Sequence, residues 1–309
     1  MLDDMALGDL QIPDKLTSLD DVAAPSWLAS LDLEFAVRGK KTVLSRCRHQ
    51  GPLGVQRAFY PEQDGCAHVY LLHPPAGIVS GDELRISAKL EAGSRALLTT
   101  PGANRFYRAR GHSDKADKQS QYCQFDVQAA ATLEYLPLET LVYNQANALN
   151  QVEIKVKDSG CYMGWEVLCL GLPHIQQSFT QGKLQQVTTL FHNGKPLFHD
   201  RIHLAALDSL HQQKIALGGH HVVGNFIIFS GDLANEVKQL AVLVDELRTY
   251  LSDKQLEQQF AVTEIQGVVV VRHLGESSEH CRDTFHQLWG FARQFVLNKT
   301  QNTPRIWYT

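Results

Sequence analysis

The sequence predicts a mainly β fold whose last third turns α+β. Two patterns carry that expectation. Apolar and polar residues alternate in many short segments: Leu31, Leu33, Phe35 and Val37 are interleaved with Asp32, Glu34, Ala36 and Arg38, and Leu84, Ile86, Ala88 and Leu90 with Arg85, Ser87, Lys89 and Glu91. Apolar spacing by three and four, the mark of an amphipathic helix, appears only in late stretches. With no helix-length pattern between the early strands, a doubly wound α/β domain is excluded for that part.

Residues 1–30 read as an extension. Asp3, Asp4, Asp9, Asp14, Asp20 and Asp21, with Pro13 and Pro25, bring charge and breaks but no sustained period. A β-rich body is expected over 31–207 and an α+β region packed on it over 208–309, the two forming one continuous domain. Strands are predicted at 31–38, 42–47, 69–72, 84–90, 96–99, 122–127, 133–136, 141–143, 152–156 and 165–169, with 111–121 a solvated polar loop. Asn193-Gly194 joins strands 184–190 and 197–202 as a hairpin, because a type I′ turn needs positive φ at both central residues.

Helices enter late. Asp232 is placed as the cap of a helix whose Leu233, Val237, Leu240, Ala241, Val244, Leu247 and Leu251 form one stripe. A second helix is expected over 278–297, with Cys281, Phe285, Leu288, Trp289, Ala292, Phe295 and Val296 on its buried face, and a short one over 209–217 ended by Gly218. Strands 261–265 and 268–272 flank Gly267. The pattern by itself leaves a sandwich, a barrel and a stack of coiled strands open, and no fixed repeat of solenoid length is visible.

Composition narrows the function class. A chain of 309 residues, 44% hydrophobic, can bury a large core. Its formal charge of −4 gives no global attraction to nucleic acid or an anionic membrane. The longest apolar runs fall far short of the roughly 20 residues of a membrane span, and the N-terminus has no basic-then-apolar leader pattern. Six cysteines without a C-x-x-C pair fit reduced thiols in a cytoplasmic protein.

The loop 73–82 is where chemistry is sought first, since Pro74, Pro75, Gly77 and Gly81 hold His73, Ser80 and Asp82 beside a regular strand. A hydrolase built on these three would need an activated serine, yet there is no G-x-S-x-G elbow. Neither phosphate-loop motif occurs, so nucleotide chemistry falls to a partner. The 14 histidines are dispersed and predict no tight metal site, and adjacent His220 and His221 would point to opposite faces of a strand. Asp82, Glu139, Glu166 and Asp200 stand beside Pro, Gly or Trp outside charged runs, which suits weak, transient contact with a hydrated divalent cation. The alternative is structural, with Asp82 capping its loop and Glu166 or Asp200 paired to an arginine such as Arg201.

The ordered stretches His73-Pro74-Pro75-Ala76-Gly77-Ile78-Val79-Ser80-Gly81-Asp82 and Leu98-Thr99-Thr100-Pro101-Gly102-Ala103-Asn104-Arg105-Phe106-Tyr107-Arg108 resemble the urease accessory protein UreD (UreH) family. So do Phe59-Tyr60-Pro61-Glu62, Leu136-Pro137-Leu138-Glu139-Thr140, Trp165-Glu166, Asp200-Arg201 and Pro304-Arg305-Ile306-Trp307. The resemblance implies a β-helix-like superhelical stack with helices at one end. It further implies a non-catalytic factor that scaffolds a UreF-type accessory protein, and a UreG-type GTPase through it, on the urease apoprotein, with a dimer of such complexes allowed.

Nickel would be in transit rather than tightly bound. Asp82, Thr99, Thr100, Glu139 and Glu166 carry over as candidates for the ion path or its supports, with weak contact at Asp82, Glu139 and Glu166. A pure adaptor without ion passage and a Ser/His/Asp hydrolase are the alternatives. Three positions depart from the family pattern: Ala76 and Ser80, where glycine is usual, and Asn144, where aspartate is common.

Overall fold

The computed structural model describes residues 27–110, 117–205 and 211–308 of the chain. The order of elements opens with β1 (Trp27–Arg38), β2 (Lys41–Gln50), β3 (Gly54–Val55), β4 (Ala67–Leu72), β5 (Asp82–Leu90), β6 (Arg95–Thr99) and β7 (Asn104–Phe106). It continues with β8 (Gln119–Val127), β9 (Thr132–Leu136), β10 (Thr140–Val142), β11 (Asn147–Val156), β12 (Cys161–Leu172), β13 (Gln177–Ser178), β14 (Lys183–His192) and β15 (Lys195–Ala205). Last come β16 (Val222–Ser230), α1 (Val237–Asp253), β17 (Phe260–Ile265), β18 (Val268–Gly275) and α2 (Ser278–Leu297).

These strands build two large sheets. The first runs β15-β14-β11-β8-β5-β1-β2, and the second β17-β18-β16-β12-β9-β6-β4-β3 with β7, β10 and β13 attached beside β12. From β4 onward the chain crosses repeatedly between them, so β5, β8, β11 and β14 pair in parallel in the first sheet while β4, β6, β9 and β12 pair in parallel in the second. A third parallel ladder joins Ile78, β7, β10 and the end of β12.

Burial follows from this layering. Facing rows of the two sheets make one core, in which Ile86, Phe125, Ile154 and Val156 meet Val69, Leu133 and Leu170. The other face of the second sheet is covered by α1 and α2 through Leu243, Leu247, Phe285, Leu288 and Trp289 packed on Trp165, Val167 and Phe226. Each such fully buried large side chain contributes roughly 1.5–3 kcal/mol. A sheet covered on both faces needs apolar residues at every position, which is why Val268-Val269-Val270-Val271 does not alternate.

Most predicted strands and both long helices are present, with several corrections. β1 begins at Trp27, four residues before the expected start, and residues 1–26 lie outside the described residues. α1 is capped at Glu236 rather than Asp232, because Gly231 N is tied to Gly160 O and residues 231–235 form turns on Ser230. The short helix expected at 209–217 falls partly outside the described residues; its remainder is a run of turns closed by Gly218 N to Gln213 O and Gly219 N to His211 O. Gln119, Ser120 and Gln121 belong to β8, not to the polar loop, whose residues 111–116 are not described. The hairpin stands as predicted, with Asn193 at φ 51° and Gly194 at φ 81°.

Candidate functional site

The layer between the sheets is not apolar throughout. On β8, β11 and β14 the inward positions include Gln121, Asn150 and Gln186, which lie in direct lateral register. Asn104 Nδ2 donates to Gln121 Oε1 at 3.1 Å, and Gln121 Nε2 donates to Asn150 Oδ1 at 3.1 Å. Asn150 Nδ2 then donates to Gln186 Oε1 at 2.8 Å and to Glu166 Oε1, on the opposite sheet, at 3.0 Å. Thr188 Oγ1 donates to Glu166 Oε2 at 2.6 Å. Buried amides persist only when hydrogen-bonded, and this row satisfies itself from strand to strand.

Glu166 is the one carboxylate in that row and has no ion-pair partner among the described residues. Burial pushes its carboxyl up to about 7, against the hydrogen bonds from Thr188, Gln186 and Asn150, with the Asp200 charge adding to the rise. What surface it retains lies on a cavity of about 270 Å³, whose wall also carries His73, Thr100, Arg105, Gln121 and Asn150. That is room for several waters, so a hydrated cation fits.

Beyond Glu166 the polar row reaches the surface. Glu166, Asn225 and Arg272 are cross-strand partners through β12, β16 and β18. Asp200, the register partner of Thr188 in the first sheet, faces them; Asn225 Nδ2 donates to its Oδ2 at 3.3 Å and Arg272 Nη1 pairs with it at 3.0 Å. Asp200 is therefore paired to Arg272, not Arg201, and Glu166 to no arginine.

The predicted site residues fall in different places. Thr100 and Glu166 share the cavity, and Thr100 Oγ1 also accepts from Leu138 N at 2.9 Å. Thr99 is fully buried, donates to Leu136 O at 2.6 Å and accepts from Trp307 Nε1 at 2.8 Å, which ties the C-terminal turn to the second sheet. Glu139 lies 3.0 Å from Arg282 of α2, on the helix-covered side. Asp82 opens β5 and accepts from Val79 N at 2.9 Å, the expected loop cap.

His73, Ser80 and Asp82 are not joined by hydrogen bonds; Ser80 Oγ instead accepts from the Arg110 backbone. Asn144 Oδ1 accepts from Thr180 N and Gln181 N, so a neutral amide serves at this position. Sequence reading missed Gln121, Asn150, Gln186 and Thr188. Their signal was a polar side chain standing in the apolar phase of a strand, as Asn150 does with Val152, Ile154 and Val156.

The chain is thus a β scaffold of two crossing-connected sheets with a hydrogen-bonded polar row between them. The model of the UreD urease accessory protein family matches residues 28–308. The chain is 43% identical to urease accessory protein UreD of Psychromonas ingrahamii, over 92% of this chain and 94% of that one. It is 35% identical to UreD of Saccharophagus degradans, over 96% and 98%, and 37% identical to UreD of a Marinomonas species, over 96% and 94%. The chain belongs to the UreD family of urease accessory proteins, a family not known as enzymatic. Among the described residues no helix is long and apolar enough to cross a membrane.

Proposed function

We propose that the chain acts in the cytoplasm as a scaffold for a UreF-type protein, and through it a UreG-type GTPase, on apo-urease, and conveys nickel along its own interior. On this reading the alternation of strands between sheets is one β-helix-like superhelical path. The observation that supports conduction is the row Asn104–Gln121–Asn150–Glu166, continued by Thr188, Asp200 and Arg272, which passes through an otherwise apolar layer. Oxygen and amide donors bind a divalent ion weakly enough to release it. GTP hydrolysis by the partner supplies direction.

A pure adaptor is the second reading, favoured for two of the candidate carboxylates because Asp82 and Glu139 are already engaged by Val79 and Arg282. The test is co-expression with urease of wild type or Glu166→Ala, scoring the nickel content of purified urease and recovery of the accessory complex. Loss of nickel with the complex intact supports conduction. Full nickel loading by Glu166→Ala leaves the adaptor.

A further inference from the structure

On the other face of the second sheet, under α2, lies a separate group of charges. Glu62 is in the loop before β4, Cys66 directly precedes β4, and His68 is within it; one donor atom from each lies within 4.8 Å of the other two. Cys66 and His68 are 2% and 1% exposed. Arg293 of α2 donates through Nη2 to both Glu62 oxygens at 2.7 Å and through Nε to Glu134 Oε1 at 3.0 Å, where Trp289 Nε1 also donates at 2.7 Å.

We propose that Glu62, Cys66 and His68 bind a divalent transition ion of the zinc, cobalt and nickel class as a resident site, distinct from any ion passing Glu166. Three observations support it. The donor set of one imidazole, one thiol and one carboxylate is the mixed set that such ions select.

The second is charge. Glu62 and Glu134 bring two negative charges into the interior and Arg293 returns one; a divalent ion with Cys66 as thiolate closes the difference. The neighbouring Asp64, Arg95 and Lys299, 22–32% exposed, add one net positive charge at the margin of the group, so the unclosed charge is that of the three innermost side chains alone.

The third is geometry. His68 Nε2 stands 2.7 Å from Glu62 Oε1. Bonds of about 2.0–2.2 Å in a tetrahedral site spread two ligand atoms to about 3.4 Å, so only a small parting is needed. His68 Nδ1 is buried with no partner, so no second bond holds the ring against that shift. Arg293 on Glu62 Oε2 would keep the carboxylate oriented. Glu62 also borders a surface groove with Pro61 and Asn302, which gives an ion a way in.

The test titrates the full chain, reduced, with cobalt(II) alone. One equivalent should give a thiolate-to-cobalt charge-transfer band with release of the Cys66 proton. The band should disappear in Cys66→Ser and His68→Gln and persist in Glu166→Gln, and zinc should raise the melting temperature of wild type but not of Cys66→Ser. No band in wild type, or a band surviving Cys66→Ser, overturns the site; the buried charge is then closed by a proton on Glu134, whose carboxyl burial raises. Circular dichroism of each variant separates loss of the ion from loss of the fold.

Discussion

Asn150 Nδ2 donates to Glu166 Oε1 at 3.0 Å across the gap between the two sheets, so an amide of one sheet faces a carboxylate of the other. The carboxylate is held by neutral donors, and burial sets its proton affinity.

Stability should therefore respond to pH through Glu166. Its carboxyl is raised from 4.5 to about 7 in the folded chain. Between those values the unfolded chain has already lost the proton that the folded chain keeps. Its contribution is whole below about pH 4.5 and falls away as pH rises through about 7. At 1.36 kcal/mol per unit this reaches about 3 kcal/mol, less where cavity water screens the group. Glu166→Gln should remove the effect. Urea midpoints at pH 5 and 8 should show the variant gaining roughly 1–3 kcal/mol on wild type at the higher pH. Parallel pH curves would contradict a buried carboxyl.

His273 should act in the opposite direction. It is 1% exposed, and its ring lies 4.3 Å from that of Phe260. Burial first, then the charge of His280, lowers it from 6.5 to about 4. Its contribution is whole above about pH 6.5 and lost as pH falls through about 4, again up to about 3 kcal/mol. Between pH 4.5 and 6.5 the two groups oppose each other. Removing Glu166 should leave stability rising with pH, and His273→Leu should leave it falling. Slopes of the same sign in the two variants would count against both assignments.

Ala76 carries measurable strain. Its φ of 60° lies in the left-handed region, where a Cβ costs roughly 1–2 kcal/mol. The turn is fixed by Ala76 N donating to His73 O at 2.8 Å. Ala76→Gly should raise stability by about 1 kcal/mol after the entropy of the unfolded glycine is subtracted. An unchanged or lowered urea midpoint would mean that the loop relaxes around the alanine.

Much of this fold was legible because a period of two survives wherever one face of a strand meets the core. Leu84 to Leu90 alternate in burial as they alternate in sequence. The pairing of β5 with β8 and β6 with β9 was not legible: parallel neighbours 37 residues apart leave no turn between them for the sequence to announce. The site divided in the same way. Glu166 stood out beside Trp165, but Gln121, Asn150 and Gln186 read as ordinary polar residues until register aligned them. Glu62 and Arg293, 231 positions apart, carry no local pattern that pairs them.

Asn150 should be the most sensitive point of the row. It accepts from Gln121 and donates to both Gln186 and Glu166, so three buried or half-buried groups depend on one amide. Asn150→Leu keeps a similar volume but removes every one of those bonds, each orphaned group costing roughly 1–3 kcal/mol unless cavity water replaces the partner. Asn150→Asp keeps the acceptor for Gln121 but sets a second carboxylate against Glu166, which should raise the apparent proton affinity of the pair further. If the row conducts nickel, Asn150→Leu should lower urease nickel content at all pH values, because it closes the row with an apolar side chain. Asn150→Asp should lower it mainly on the acid side, where the shared proton holds the site. Nickel content equal to wild type in both variants, with the accessory complex recovered intact, would rule the row out as the route.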